Sequence, residues 1–311
     1  MQSAGLDWLT RLDRLLVPVR RAITEATAPD PARLGYPLFS ARIKDRKRRW
    51  QVERQPNTYD AVASKLGGES FMRALGHPVP ETYGIYPTLE DLPAFDKLPG
   101  AFVVKPALGW SSAGVYLIRD GVDIEGGRRL TREALIRETK SFRGPGWRGI
   151  GGPWIVEELL FDFDNRDRPA SDYKIYCFGP KVVLVRVNRH SGLRKPKYLY
   201  WYQQPDWTRF PYQVNWEKYP ERSVPDRPPF LDEMLAIASD AGRRLNIFVR
   251  VDMFASHRGP VFCEFTAHPS NGSFYTPRAD AWLGSHWTTL EGGAEEPAGQ
   301  SDGPSPELMS R

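Results

Sequence analysis

From Val249 to Thr266, apolar and polar positions alternate in two runs separated by the turn-like Ser256-His257-Arg258-Gly259. Val249, Val251 and Met253 alternate with Arg250 and Asp252; Val261, Cys263 and Phe265 alternate with Phe262, Glu264 and Thr266. Strand side chains repeat every two residues, so the pattern predicts a hairpin with Arg250 and Asp252 on one face of the first strand. Glu264 and Thr266 share a face of the second. A suitable register brings the two pairs together. Neighbouring carboxylates repel, and one takes up a proton unless a cation lies between them. Oxygen ligands of this kind suit Mg²⁺; a solvated face with an Arg–Asp surface pair is the alternative reading.

Helical spacing recurs elsewhere. Trp8, Leu9, Leu12, Leu15, Leu16 and Val19 predict an amphipathic helix interrupted near Pro18, followed by a linker through Ala28–Pro37. Helices are also expected over Thr58–Leu75, ending at Gly76, over Thr131–Thr139, and over Phe230–Leu245. Phe102–Pro106 and Val115–Ile118 read as strands around a Gly/Ser-rich turn, Gly109–Gly114, and Trp154–Val156 as a further strand. Asp172–Phe178 and Lys181–Asn188 flank Gly179-Pro180 as a hairpin, with Asp172 and Lys174 sharing a face. Arg143–Pro153 is a second glycine-rich loop, and Arg189–Pro229, aromatic, basic and proline-rich, reads as a functional loop or insertion. The tail, Glu291–Arg311, has the composition of a disordered segment.

Composition narrows the function classes. A chain of 311 residues, 41% hydrophobic with 10 Trp, buries a substantial core. Its net charge of +5 permits acidic ligands such as nucleotides without demanding nucleic acid. The basic run Arg42–Arg54 reads first as a solvated helix face, and otherwise as a contact for an acidic partner. Cys177 and Cys263 lie in apolar runs as small buried hydrophobes, without zinc-type spacing. Neither a signal peptide nor a membrane-spanning run is evident, so a cytoplasmic location is expected. The Gly109–Gly114 turn joins two strands, and no GxxxxGK[ST] sequence opening a helix occurs. Backbone N–H groups in such a turn can still line a phosphate.

In order, FVVKP, the Gly-rich turn, IVEELL, SDYKIYCF, VRVDMF and VFCEFT resemble the ATP-grasp superfamily of ATP-dependent ligases. DYKIYCFG, VRVDMF and CEFTAHPSNGSF look most like its branch named for teichuronopeptide biosynthesis, the amidoligase type, over roughly residues 65–287. The resemblance implies an α+β fold in which two α+β subdomains with antiparallel sheets clasp ATP, preceded by a short N-terminal helical region. The implied division is 1–36 for that region, 37–100 for a small substrate region, and 101–160 and 161–290 for the two subdomains, with 291–311 as tail.

Residue by residue, the resemblance makes Lys105 a phosphate contact and Gly109, Ser111, Ser112 and Gly114 parts of a flap over the triphosphate. Glu157, Glu158 and Leu160 match the adenine-recognising hinge, Asp172 the acidic position near the ribose, and Lys174 a contact on the same strand. Arg250 matches the arginine beside the transferred phosphate, while Asp252 and Glu264 match the metal carboxylates. Many relatives place Asn two positions beyond the second carboxylate; here Thr266 stands there as the candidate third ligand. His268, Ser270, Asn271 and Arg189 are candidate substrate contacts, as are Arg194, Lys195 and Lys197.

The implied cofactors are ATP and Mg²⁺, with Mn²⁺ as an alternative. The implied reaction joins a carboxylate to an amine through an acyl phosphate, releasing ADP and phosphate. Its substrates would be small molecules or peptide- or glycan-linked groups, with no nucleic acid, and a homodimer is one option for assembly. An ATP-grasp kinase or phosphotransferase, and a noncatalytic polyanion-binding protein, are the competing expectations.

Overall fold

The computed structural model describes residues 33–109, 113–141, 151–190, 198–216, 223–287 and 290. The expected N-terminal helix and the expected tail lie outside the described residues, as do Ser111, Ser112, Arg194, Lys195 and Lys197. Two antiparallel sheets carry the fold. One has six strands in the order β1-β6-β2-β3-β4-β5: β1 Thr82–Tyr86, β2 Ala101–Leu108, β3 Tyr116–Arg119, β4 Val122–Asp123, β5 Arg128–Arg129 and β6 Gly151–Glu158. The other has five in the order β11-β10-β7-β8-β9: β7 Ser171–Phe178, β8 Lys181–His190, β9 Tyr198–Gln203, β10 Phe248–Ser256 and β11 Gly259–Thr266.

Five α-helices accompany them among the described residues: α1 Phe39–Lys47, α2 Lys65–Ala74, α3 Arg132–Ser141, α4 Leu231–Leu245 and α5 Pro277–Trp287. The periodic apolar face of α4, Met234, Ile237, Ala238, Ala241 and Leu245, packs with Ile175, Val185, Val187, Val249, Val251 and Met253 from the five-stranded sheet. That seam is tight. A Cβ at Gly242 would sit 2.1 Å from the Gly179 carbonyl oxygen in the β7–β8 turn, so glycine permits the close approach. Phe71 and Met72 of α2 complete the same cluster. On the opposite face, Phe39, Phe178, Phe248, Tyr275 and Trp287 form an aromatic cluster with α1 and α5.

Four local expectations need correction. The segment Thr58–Leu75 is not one helix: a 3-10 turn at Asp60–Val62 precedes α2, which starts where the Ser64 side chain accepts from the Gly67 N–H. The basic run is not simply a solvated face, because Arg46 is fully buried, with its guanidinium over the Trp50 and Trp287 rings and Nη1 donating to the Phe248 carbonyl at 2.7 Å. Within the stretch taken as a loop, Tyr198–Gln203 forms β9 against β8, and Trp207, Phe210 and Val214 beyond it are buried. Finally, the alternation in β11 is broken. Asp252 pairs with Glu264 and Met253 with Phe262, so Cys263 is an extra residue, a β-bulge. Phe262 and Phe265 enter the core on either side of it, while Cys263 and Glu264 both face away.

Candidate functional site

The bulge matters because a cleft opens between the two sheets, on the side that Cys263 and Glu264 face. It encloses about 200 Å³ and is lined by Val103, Lys105 and Gly109 from β2 and its end, by Ala113 of the flap, and by Val115 and Leu117 beyond it. Glu157 and Glu158 end β6, and Leu159 and Leu160 begin the connection between the sheets; Asp172, Lys174 and Asn188 rise from β7 and β8; Phe254, Cys263 and Glu264 close the hairpin side. With Lys65 also in the lining, residues separated by up to 199 positions in sequence, Lys65 to Glu264, converge on one surface. Gly114, at φ +75, takes the left-handed conformation at the far end of the flap.

Lys105 sits at the first centre of charge. Its ammonium lies 2.7 Å from Glu157 Oε2 and 3.2 Å from Glu69 Oε1, and all three side chains are buried. Burial opposes the charge on Lys105, but Glu157 and Glu69 together outweigh it and hold the ammonium protonated well above the usual range. Burial raises the carboxyl of Glu157, an effect that Lys105 partly offsets. Glu69, on α2, is a residue that the sequence reading missed. It follows Lys65 by one helical turn, and that spacing places both on one helix face. Lys65 Nζ accordingly donates to the Gly109 carbonyl at 3.3 Å.

The second centre crosses the five-stranded sheet. Arg250 grips Asp252 with two bonds of 2.6 Å, and its Nη2 donates to Thr266 Oγ1 at 2.9 Å. Lys174 bridges Asp252 Oδ2 at 2.5 Å and Asp172 Oδ2 at 2.6 Å. Burial alone would raise Asp252, yet Arg250 and Lys174 hold its carboxyl below the usual range. Asn188, also missed, donates to Asp172 Oδ2 at 3.3 Å. Cys263 is half-buried on the cleft wall, unlike the fully buried Cys177; burial and the nearby Glu264 push its thiol well up.

The donor set offers a divalent cation two carboxylates, of which Asp252 is already engaged by Arg250 and Lys174. Asp252 and Glu264 lie directly opposite each other on adjacent strands. Among the described residues no ion pair reaches Glu264, and Asp172 Oδ1 is a buried acceptor without a hydrogen-bond partner. No group of three or more His, Cys, Asp or Glu able to hold a metal occurs among the described residues. An ion held here has at most one or two carboxylates and would complete its shell with water and phosphates, the manner of Mg²⁺. Thr266 is engaged by Arg250.

The candidate substrate residues lie apart from this wall. His268 packs edge-on against Trp50, 5.4 Å between centroids, and burial together with Arg46 and Lys47 lowers its pKa to about 4. Asn271 Oδ1 accepts from Lys47 at 2.8 Å, and Ser270 and Asn271 both have left-handed backbone at φ 51. Arg189 lies three positions from Arg186, on the opposite side of β8, where it reaches Ser171 Oγ at 3.4 Å and lies over the Trp201 ring.

The order of these groups along the chain is matched by a known family: residues 46–288 match TupA-like ATPgrasp. The chain belongs to the TupA-like ATP-grasp family. Its two antiparallel sheets and intervening cleft are the ATP-grasp fold, and the match begins ahead of residue 65, at Arg46 near the end of α1. Among solved structures, the ATP-grasp ligase PsnB complexed with minimal precursor is similar at 16% identity and a TM-score of 0.40, over 73% of this chain and 60% of that one. D-alanine–D-alanine ligase from Bacillus anthracis is similar at 16% identity and a TM-score of 0.44, over 75% and 65%. The biotin carboxylase domain of Hydrogenobacter thermophilus 2-oxoglutarate carboxylase is similar at 12% identity and a TM-score of 0.43, over 73% and 46%. The ATP-grasp chain thus spans about half to two thirds of the length of these structures. No curated protein matches the sequence. No described helix is long and apolar enough to cross a membrane.

Proposed function

We propose that the protein is an ATP- and Mg²⁺-dependent ligase that joins a carboxylate to an amine. The observation that carries this reading is the convergence of Lys105, Glu157–Leu160, Asp172, Lys174 and Glu264 on one cleft, with Arg250 and Asp252 directly beneath. In this reading the hinge Glu157–Leu160 and the apolar Val103, Val115 and Leu117 take the adenine, and Asp172 takes the ribose. Lys105 and the flap take the phosphates.

A substrate carboxylate attacks the γ-phosphate, giving an acyl phosphate and ADP; an amine then attacks the acyl carbon and releases phosphate. Phosphoryl transfer requires mainly positioning and charge stabilisation from the protein. Lys105, Lys174 and Arg250 are the fixed cations aimed at that charge, held in place by buried carboxylates. Mg²⁺ on Asp252 and Glu264, when bound, supplies a clamp on the phosphate oxygens.

Hydroxylamine supplied in place of the amine tests the reading. Incubated with MgATP and a library of carboxylic acids, the protein is expected to form a hydroxamate with stoichiometric ADP. Asp252→Asn and Glu264→Gln are expected to abolish it while circular dichroism stays native. A stable phosphorylated product without hydroxamate would assign a phosphotransferase instead. Salt-sensitive polyanion binding, unaffected by both substitutions and without ADP release, would assign a binding protein.

A further inference from the structure

Beyond the nucleotide cleft, Arg186 on the same sheet face has no counter-charge among the described residues. Arg186 on β8 pairs in register with Lys174 on β7, and Tyr202 on β9 lies on its other side. A single row therefore crosses the sheet from Glu264 through Asp252 and Lys174 to Arg186. Lys174 and Arg250 are matched by Asp172 and Asp252. Arg186 is not. Its Nε donates to the neutral Asn188 Oδ1 at 2.9 Å, its guanidinium lies 4.9 Å from the Tyr200 ring centroid, and no carboxylate among the described residues forms an ion pair with it.

We infer that Arg186 binds a carboxylate of the substrate, which places the β8–β9 side of the five-stranded sheet at the substrate end of the cleft. The inference rests on the ligase reading above. Three features carry it. A half-buried arginine without a carboxylate partner is the natural receptor for one, because its planar fork matches a carboxylate in a bidentate pair. The Tyr200 ring and the Asn188 amide fix the guanidinium in advance, so less ordering is required when the ligand arrives. Position is the third. Adjacent strands lie about 4.8 Å apart, so Arg186 stands about 10 Å along the sheet from Asp252, two strand intervals away. That distance keeps it clear of the metal carboxylates and suits a substrate of amino-acid size whose other end reaches the transferred phosphate. Arg189, the sequence candidate for such a contact, lies on the other face of the same strand.

Isothermal titration calorimetry separates this inference from the reading beneath it. Wild type, Arg186→Gln and Arg186→Lys are titrated first with Mg-AMPPNP, then, at saturation, with each of the standard amino acids in turn. Arg186→Gln is expected to keep Mg-AMPPNP affinity within about twofold and to weaken the amino acid that wild type binds by roughly 10- to 100-fold, the range for a charge-assisted hydrogen-bonded pair. Arg186→Lys is expected to recover only part, since an ammonium lacks the fork. Equal amino-acid affinity in all three proteins overturns the assignment, as does wild type binding Mg-AMPPNP but no amino acid. Parallel loss of nucleotide and amino-acid binding in both variants also overturns it, because Arg186 would then serve the cleft as a whole. Failure of wild type to bind Mg-AMPPNP refutes the nucleotide reading itself, and this inference with it.

Discussion

Lys105 is more deeply committed to its surroundings than a surface lysine aimed at a phosphate. Glu69 and Glu157 hold it within a buried cluster, so removing the cation leaves two buried carboxylates together. Lys105→Met is therefore expected to lower stability by about 3–5 kcal/mol in urea unfolding, the range for breaking a buried pair. Adding Glu69→Gln should restore part of that loss; an undiminished loss in the double variant would mean that Glu69 is not coupled to Lys105. His268 makes a second prediction. Its pKa lies near 4 when folded, against an ordinary 6.5, because burial disfavours the charged ring. Between those values the unfolded chain binds the proton more readily, so stability is complete above about pH 6.5 and falls as the pH drops towards 4. His268→Phe should flatten that part of the Tm–pH curve, and an unchanged slope would contradict this account.

The β10–β11 hairpin shows which structural features are legible in a sequence. The face shared by Arg250 and Asp252 and the turn follow from period-two alternation, but the pairing of Asp252 with Glu264 does not, because the turn register alone sets Asp252 opposite Cys263. Nor does the bulge at Cys263, because an extra residue is defined only against the partner strand; read alone, VFCEFT continues to alternate. The same limit explains Arg46: a cation in a basic run is unremarkable until Trp50, Phe248 and Trp287 come together from distant positions to cover it. Strand β9 was obscured by the proline-rich and basic residues around it, although Tyr198, Tyr200 and Tyr202 alternate with Leu199, Trp201 and Gln203. The bulge has a chemical consequence that can be measured. Cys263 should react slowly with a thiol-labelling disulfide and be protected by Mg-AMPPNP, whereas the buried Cys177 stays unlabelled. Labelling of Cys177 first, or of Cys263 without protection, would contradict the placement of the bulge on the cleft wall.

Across the whole molecule, the cleft is held at its hinge by a cross-sheet clamp. Arg258, in the β10–β11 turn, bonds both carboxylate oxygens of Glu158 at 3.0 and 2.7 Å and the Val79 carbonyl at 2.9 Å. Lys65 on α2 reaches the Gly109 carbonyl at the near end of the flap, so the segment ahead of the ATP-grasp sheets contributes directly to the cleft. The motif order made the two sheets and most of the wall legible, while Glu69, Asn188 and Arg186 emerged only from register and helix packing. Calorimetric titration of AMPPNP into wild type and Glu264→Gln, with Mg²⁺ and in EDTA, examines the site most directly. Wild type should bind one nucleotide per chain, and Glu264→Gln should weaken binding more than about tenfold with Mg²⁺ but little in EDTA. No binding to wild type, or the same effect of Glu264→Gln with and without Mg²⁺, would contradict a metal-nucleotide site on this cleft.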